Sequence, residues 1–136
     1  MSFRKVKGLT KNIWLPVTPS TALAARSIVT LTSGQLVAAT AATTAPNLAG
    51  VLVGEITAED ANFADERLVA VEVPMEKNCI YEFPTTGLVA ADIGVDVDLA
   101  DAVSVDRAAT AVGVVRTTKV LSATKGQGLL KINGAY

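Results

Sequence analysis

The chain has 136 residues, with 12 Lys and Arg against 13 Asp and Glu for a formal net charge of −1, no histidine, and one cysteine, Cys79. Those counts exclude a histidine general base, a Ser-His-Asp triad, an intrachain disulfide and a Cys-rich zinc site. Half the residues are apolar but only 4% are aromatic, and Ala, Val and Thr make up 55 of the 136; that mix suits thin-layered β-sheets and argues against an aromatic-lined catalytic pocket.

Residues 1–22 read as an extended basic arm, because they hold two prolines and few adjacent apolar residues. Arg4, Lys5, Lys7 and Lys11 stand there without an acid, and Trp14, between Ile13 and Leu15, is the one residue able to anchor in a neighbour's pocket. The alternative is that Trp14 packs back on its own domain. The basic start is not followed by the apolar run of a secretory leader. No window offers about 18 uninterrupted apolar residues, so no membrane-spanning helix is expected.

Residues 23–136 read as one β-barrel or sandwich domain. Ser27-Ile28-Val29-Thr30-Leu31 alternates, Ser33-Gly34 marks a tight turn, and Gln35-Leu36-Val37-Ala38 returns. An Ala/Thr-rich tract with Pro46-Asn47 reads as a loop or an irregular strand, and Gly50 to Ile56 as a buried strand. Thr57-Ala58-Glu59-Asp60 has the form of a capping box, which predicts one or two helical turns through Glu66. Arg67 to Val73 alternates strictly, and Pro74 ends it.

Cys79 to Phe83 reads as another strand, with Cys79 a small core residue lacking any histidine to activate it. Asp92 to Leu99 alternates acid and apolar residues, which predicts Val95, Val97 and Leu99 inward and the aspartates outward. Ala111–Thr117 and Leu129–Ile132 complete seven to nine short strands, an all-β fold. There is also an internal echo. Residues 29–53 and 97–115 both run strand, tight turn, strand, Ala-Ala-Thr, then a Gly-Val strand.

Charge is segregated along the chain: +4 over residues 1–11, +1 over 12–54, −11 over 55–106 and +5 over 107–136. This predicts either oppositely charged faces that orient packing against copies and partners, or acidic and basic strands that neighbour each other in one sheet. Asp92, Asp96, Asp98, Asp101 and Asp106 form an oxygen-rich cluster, but their spacing is not that of an EF-hand. Solubilising charge is the expectation, with a metal-dependent hydrolase as the enzyme alternative. Lys125-Gly126-Gln127-Gly128 lacks the order of a phosphate loop. The basic arm lacks the interleaved aromatics of a nucleic-acid site.

Taken together, Ser27-Ile28-Val29-Thr30-Leu31, Ser33-Gly34-Gln35-Leu36-Val37, Ala49-Gly50-Val51-Leu52-Val53-Gly54, Cys79-Ile80-Tyr81-Glu82-Phe83-Pro84, Ala91-Asp92-Ile93-Gly94-Val95-Asp96-Val97 and Ala111-Val112-Gly113-Val114-Val115 resemble the small capsid cement, or decoration, proteins of tailed phages. The resemblance spans roughly Ala24 to Gly134. It implies a compact β-barrel-like domain on the outer capsid surface, in many copies, without catalysis or cofactor. The implied partners are the major capsid protein and neighbouring copies, as a homotrimer or a dimer, with no nucleic acid or membrane partner. On that reading Arg4, Lys5, Lys7 and Lys11 meet acidic shell surface and Trp14 is the apolar anchor. A receptor- or carbohydrate-binding module of a phage fibre or tail is the alternative.

Overall fold

The computed structural model describes residues 2–44 and 47–132. Pro46 of the expected loop, and residues 133–136 at the expected end of the domain, lie outside the described residues. The fold is all-β, with eleven strands among the described residues in two antiparallel sheets and a 3-10 turn at Ala90–Asp92. The strands are β1 (Arg4–Lys7), β2 (Thr10–Pro16), β3 (Ile28–Thr32), β4 (Gln35–Ala38), β5 (Leu48–Leu52), β6 (Leu68–Pro74), β7 (Ile80–Pro84), β8 (Asp96–Asp101), β9 (Ser104–Asp106), β10 (Val115–Ser122) and β11 (Lys125–Leu130). Six form one sheet in the order β1-β7-β11-β10-β8-β9, and five form the other in the order β2-β6-β5-β3-β4.

The two sheets pack as a sandwich around Phe3, Ile28, Val51, Tyr81, Phe83, Val97, Leu99, Val115 and Leu130. A second apolar cluster lies on the opposite face of the five-stranded sheet, built from Val17, Leu23, Val29, Leu36, Leu52, Ile56 and Val71. Because that sheet is covered on both faces, neighbouring residues such as Ile28 and Val29, or Val51 and Leu52, are both buried. The cover is the pair of segments 17–23 and 56–67. Val17 N–H donates to Arg67 O at 2.9 Å and Ser20 N–H to Phe63 O at 2.8 Å, while Leu23 and Ile56 exchange both backbone bonds. A parallel bridge from Val17 to Leu36 curls the sheet toward a barrel without closing it.

Local chemistry explains the hairpins. Ser33 and Gly34 both have positive φ, 51° and 80°, the type I′ geometry that matches the right-handed twist of β3 and β4. The internal echo is a repeat of topology. β3 pairs with β4 on one side and β5 on the other, and β8 pairs in the same way with β9 and β10. Each trio forms one end of a sheet, and Ile28 N–H joins the two by donating to Ala102 O at 2.7 Å.

Two expectations need correction. Half of the capping box forms, since Asp60 Oδ2 accepts Thr57 N–H at 3.2 Å while Asp60 N–H goes to the Thr57 carbonyl, but isolated turns follow it and no helix forms. Phe63 is drawn instead onto the second apolar cluster, which leaves the segment no continuous helical face. The N-terminal arm is the larger correction. Its backbone is extended as expected, but it is docked along its length: β1 pairs with β7 in one sheet, and β2 pairs over seven residues with β6 in the other.

Candidate partner-binding surface

The N-terminal strands are fixed by what lies around them. Phe3 is 0% exposed, its ring centroid 6.3 Å from that of Phe83, and its N–H donates to Arg26 O at 3.0 Å. The chain then crosses from one sheet to the other at Gly8. There φ is +105°, and a Cβ would stand 2.6 Å from Cys79 Cα, so only glycine fits the corner. Cys79 is buried as expected, just before β7, and its thiol donates to Leu9 O at 3.0 Å. The cysteine holds the corner.

The expected site residues are therefore presented on rigid edge strands, and they have different surroundings. Arg4 is tied to Glu82 at 2.8 Å, and Lys125 reaches the other carboxylate oxygen at 3.5 Å. The Arg4 bond, with burial opposing, holds the Glu82 carboxyl below its ordinary range. Lys5 donates to Thr10 Oγ1 at 3.1 Å, and Lys7 and Lys11 are exposed. Trp14 does not pack back on its own domain: it is 63% exposed. On β2 it stands opposite Ala70 of β6, at the outer edge of the five-stranded sheet.

The structure adds residues to this surface. Leu9 is exposed beside Met75, whose N–H donates to Leu9 O at 2.8 Å, and Lys77 is exposed on the same β6–β7 turn. A lysine-rimmed apolar tip results. Two shallow clefts flank the strands. One of about 270 Å³ is lined by Lys77, Arg116, Leu129 and Lys131, and one of about 310 Å³ by Ser2, Phe3, Arg4, Arg26 and Glu82. Nothing local in the sequence marks Met75 or Lys77, because turn pairing across about 65 residues places them here.

Beneath this surface a polar triad bridges the sheets. Glu72 of β6 accepts Arg26 Nη2 at 2.9 Å and the Tyr81 hydroxyl at 2.7 Å. Burial pushes the Glu72 carboxyl up, but the bonds from Arg26 and Tyr81 and the Arg26 charge outweigh it, so the group lies below its ordinary value of 4.5. Burial and the Glu72 bond push the Tyr81 hydroxyl far up. The triad is a neutralised clamp between β6 and β7.

The aspartate cluster disperses into structural roles. Asp92 accepts Val89 N–H at 2.9 Å and both Arg107 Nε and Nη2 at 3.0 Å, and the Arg107 bonds lower its pKa. Asp96 takes Arg116 at 2.7 and 3.2 Å together with Lys131. The Arg116 bond leads in lowering its pKa against the opposing effect of burial. Asp98 accepts the N–H groups of Ala111, Val112 and Gly113 at 3.1, 2.9 and 2.7 Å. Asp101 and Asp106 bond the turns that follow them. Among the described residues, no three His, Cys, Asp or Glu groups converge as a metal site would require.

This corrects the outward placement of the aspartates, because Asp92 and Asp98 are buried. Val97 and Leu99 point inward as expected, while Val95, just before β8, is exposed. The ion pairs also favour one of the two readings of the charge pattern. Arg107, Arg116, Lys125 and Lys131, all from the basic C-terminal segment, pair with carboxylates of the acidic middle. The charge segregation is largely a record of which segments lie side by side. Comparison of the chain with protein-family models and with curated proteins finds no match.

Proposed function

We propose that this protein is a phage capsid decoration, or cement, protein: a non-catalytic domain that binds the outer surface of the shell at subunit junctions and stabilises the expanded capsid. The observation that carries the reading is the lysine-rimmed N-terminal surface, in which Lys5, Lys7 and Lys11 stand on strands docked into two different sheets. A seam clamp has to hold its contacts at a fixed spacing, and residues on paired strands do so at smaller entropic cost than a free arm. Exposed Leu9 and Met75 supply apolar area between the cations.

In this reading Lys5, Lys7 and Lys11 meet acidic shell surface, and Trp14 anchors across a junction to a neighbouring subunit. Arg4 takes a lesser part, since Glu82 already holds it. The major capsid protein and neighbouring copies are the partners. Among the described residues Trp14 is an isolated aromatic on its face, which favours this reading over a carbohydrate-binding module, where sugar rings stack on grouped aromatic platforms.

The test is shell binding by charge-reversed variants. Shells stripped of the protein are incubated with wild type or with the combined variant Lys5→Glu, Lys7→Glu, and bound protein is quantified after sedimentation. The variant is expected to bind at least about tenfold more weakly, with a reduced dependence on salt. Equal occupancy by the two proteins contradicts the assignment.

A further inference from the structure

The six-stranded sheet turns one face to the core and the other to water. On the outer face, strand register sets a row across four strands: Arg4 opposite Glu82, Glu82 opposite Gln127, and Gln127 opposite Lys119. Two residues along from Gln127, Leu129 stands opposite Arg116, and Arg116 opposite Asp96. Two residues along from Glu82, Ile80 stands opposite Lys7 of the β1 edge. The residues between these rows, Tyr81, Thr117 and Gly128, point the other way and are buried.

Glu82 and Asp96, the carboxylates of these two rows, are each shared by two cations. Glu82 takes Arg4 at 2.8 Å and Lys125 at 3.5 Å, and Asp96 takes Arg116 at 2.7 Å together with Lys131. Lys77 joins Arg116 and Lys131 around Leu129 in the cleft of about 270 Å³. Lys7, Lys77 and Lys119 are exposed and have no ion-pair partner among the described residues. Glu76, next to Lys77 in sequence, is turned to Leu9, whose N–H it accepts at 3.2 Å. The face therefore keeps an excess of positive charge, and half-buried Ile80 and Leu129 form an apolar floor between its two carboxylates. It ends on β8, where the next carboxylate, Asp98, is buried under the backbone N–H groups of Ala111, Val112 and Gly113.

We infer that this face binds an extended acidic segment of another protein, with an apolar residue between its carboxylates. Strand spacing of about 4.8 Å and a two-residue step of about 6.8 Å put Glu82 and Asp96 roughly 16 Å apart, each among cations. In an extended chain the pattern acid-x-apolar-x-acid sets two carboxylates about 13 Å apart on one side, before side-chain reach, with the apolar residue between them. Such a segment lays its carboxylates among the two groups of cations and its apolar side chain on Ile80 and Leu129. A nucleic acid fits worse. Its phosphates run without a break past Glu82 and Asp96, and among the described residues of these rows there is no aromatic ring on which a base could stack. The face adjoins the lysine-rimmed corner through Lys7 and Lys77 and carries the cationic surface across the sheet. On the cement reading, which the inference does not require, the segment belongs to the shell.

The test needs no shell. A rhodamine-labelled peptide, Gly-Glu-Glu-Leu-Glu-Glu-Gly, is titrated with the full chain at low salt and binding is read as fluorescence anisotropy. Saturable binding is expected, at least about tenfold tighter than for the same peptide with Gln in place of Glu, and tighter than for a labelled thymidine pentanucleotide of like charge. Lys77→Glu with Lys119→Glu reverses two exposed cations that hold no ion pair, and it weakens peptide binding at least about tenfold. Lys77→Arg with Lys119→Arg keeps it. A wild-type chain that does not bind the peptide overturns the inference, as does a charge-reversed variant that binds like wild type. Equal binding of the Gln peptide, or tighter binding of the oligonucleotide, overturns it too. Shell occupancy without peptide binding removes this inference alone, whereas peptide binding without shell occupancy counts against the cement reading.

Discussion

Asp98 shows what a local pattern conceals. It lies in a run that alternates acid and apolar residues, which predicts an outward carboxylate, yet it is buried. The donors that make burial tolerable are backbone N–H groups 13 to 15 residues further on, and no periodicity reports them. Thr117 shows the opposite balance. It is fully buried, and its hydroxyl has no hydrogen-bond partner among the described residues. Thr117→Val replaces that hydroxyl by a methyl of equal size, so it is expected to raise the unfolding free energy by about 1 kcal/mol, read from chemical denaturation.

The pH dependence of stability belongs to the same scale. Glu72 is held below its ordinary value of 4.5 in the folded state, so its contribution is complete above that value and is lost as pH falls through the depressed one. Asp92 and Asp96, lowered from 3.8, act in the same direction. The melting temperature is therefore expected to change little from about pH 7 to 5 through these groups and to fall below about pH 4.5. Glu72→Gln is expected to melt lower at neutral pH and to show a flatter acid limb. An acid limb as steep as that of wild type in this variant counts against the clamp.

At the scale of elements, most strands were legible because their residues alternate or run apolar between turn residues. The β3–β4 hairpin follows from Ser33-Gly34, β6 from its strict alternation, and the repeated trio from the matched order of strand, turn and Gly-Val strand. The N-terminal strands were not legible. All four residues of β1 are exposed, so an edge strand of this kind carries no apolar signature, and its anchor, Phe3, precedes it. The docking has a consequence for truncation. Removing residues 2–15 deletes a core phenylalanine and two paired strands, so the remainder is expected to lose cooperative unfolding. Phe3→Ala alone should cost about 3–5 kcal/mol in chemical denaturation. A truncated chain that melts like the full one would restore the free arm.

For the whole molecule, the candidate surface was legible in its residue types and not in its arrangement. Arg4, Lys5, Lys7, Lys11 and Trp14 stand out because they are basic or aromatic in a chain dominated by small residues. The division of labour among them depends on partners distant in sequence: Glu82 removes Arg4, Met75 and Lys77 extend the lysine tip, and Ala70 and Val53 set the row on which Trp14 stands. Strand neighbours also neutralise part of the segregated charge, and a lysine-rich corner and an acidic loop remain at opposite ends of the β2–β6 pair. A rigid body with such ends is suited to bridging and ordered packing.

The central claim is that this domain is a stoichiometric part of a phage shell. Copy number tests it most directly, by quantitative peptide mass spectrometry on particles purified from the source of the chain. The account predicts hundreds of copies per particle in fixed ratio to the major shell protein. A handful per particle, or none, contradicts it.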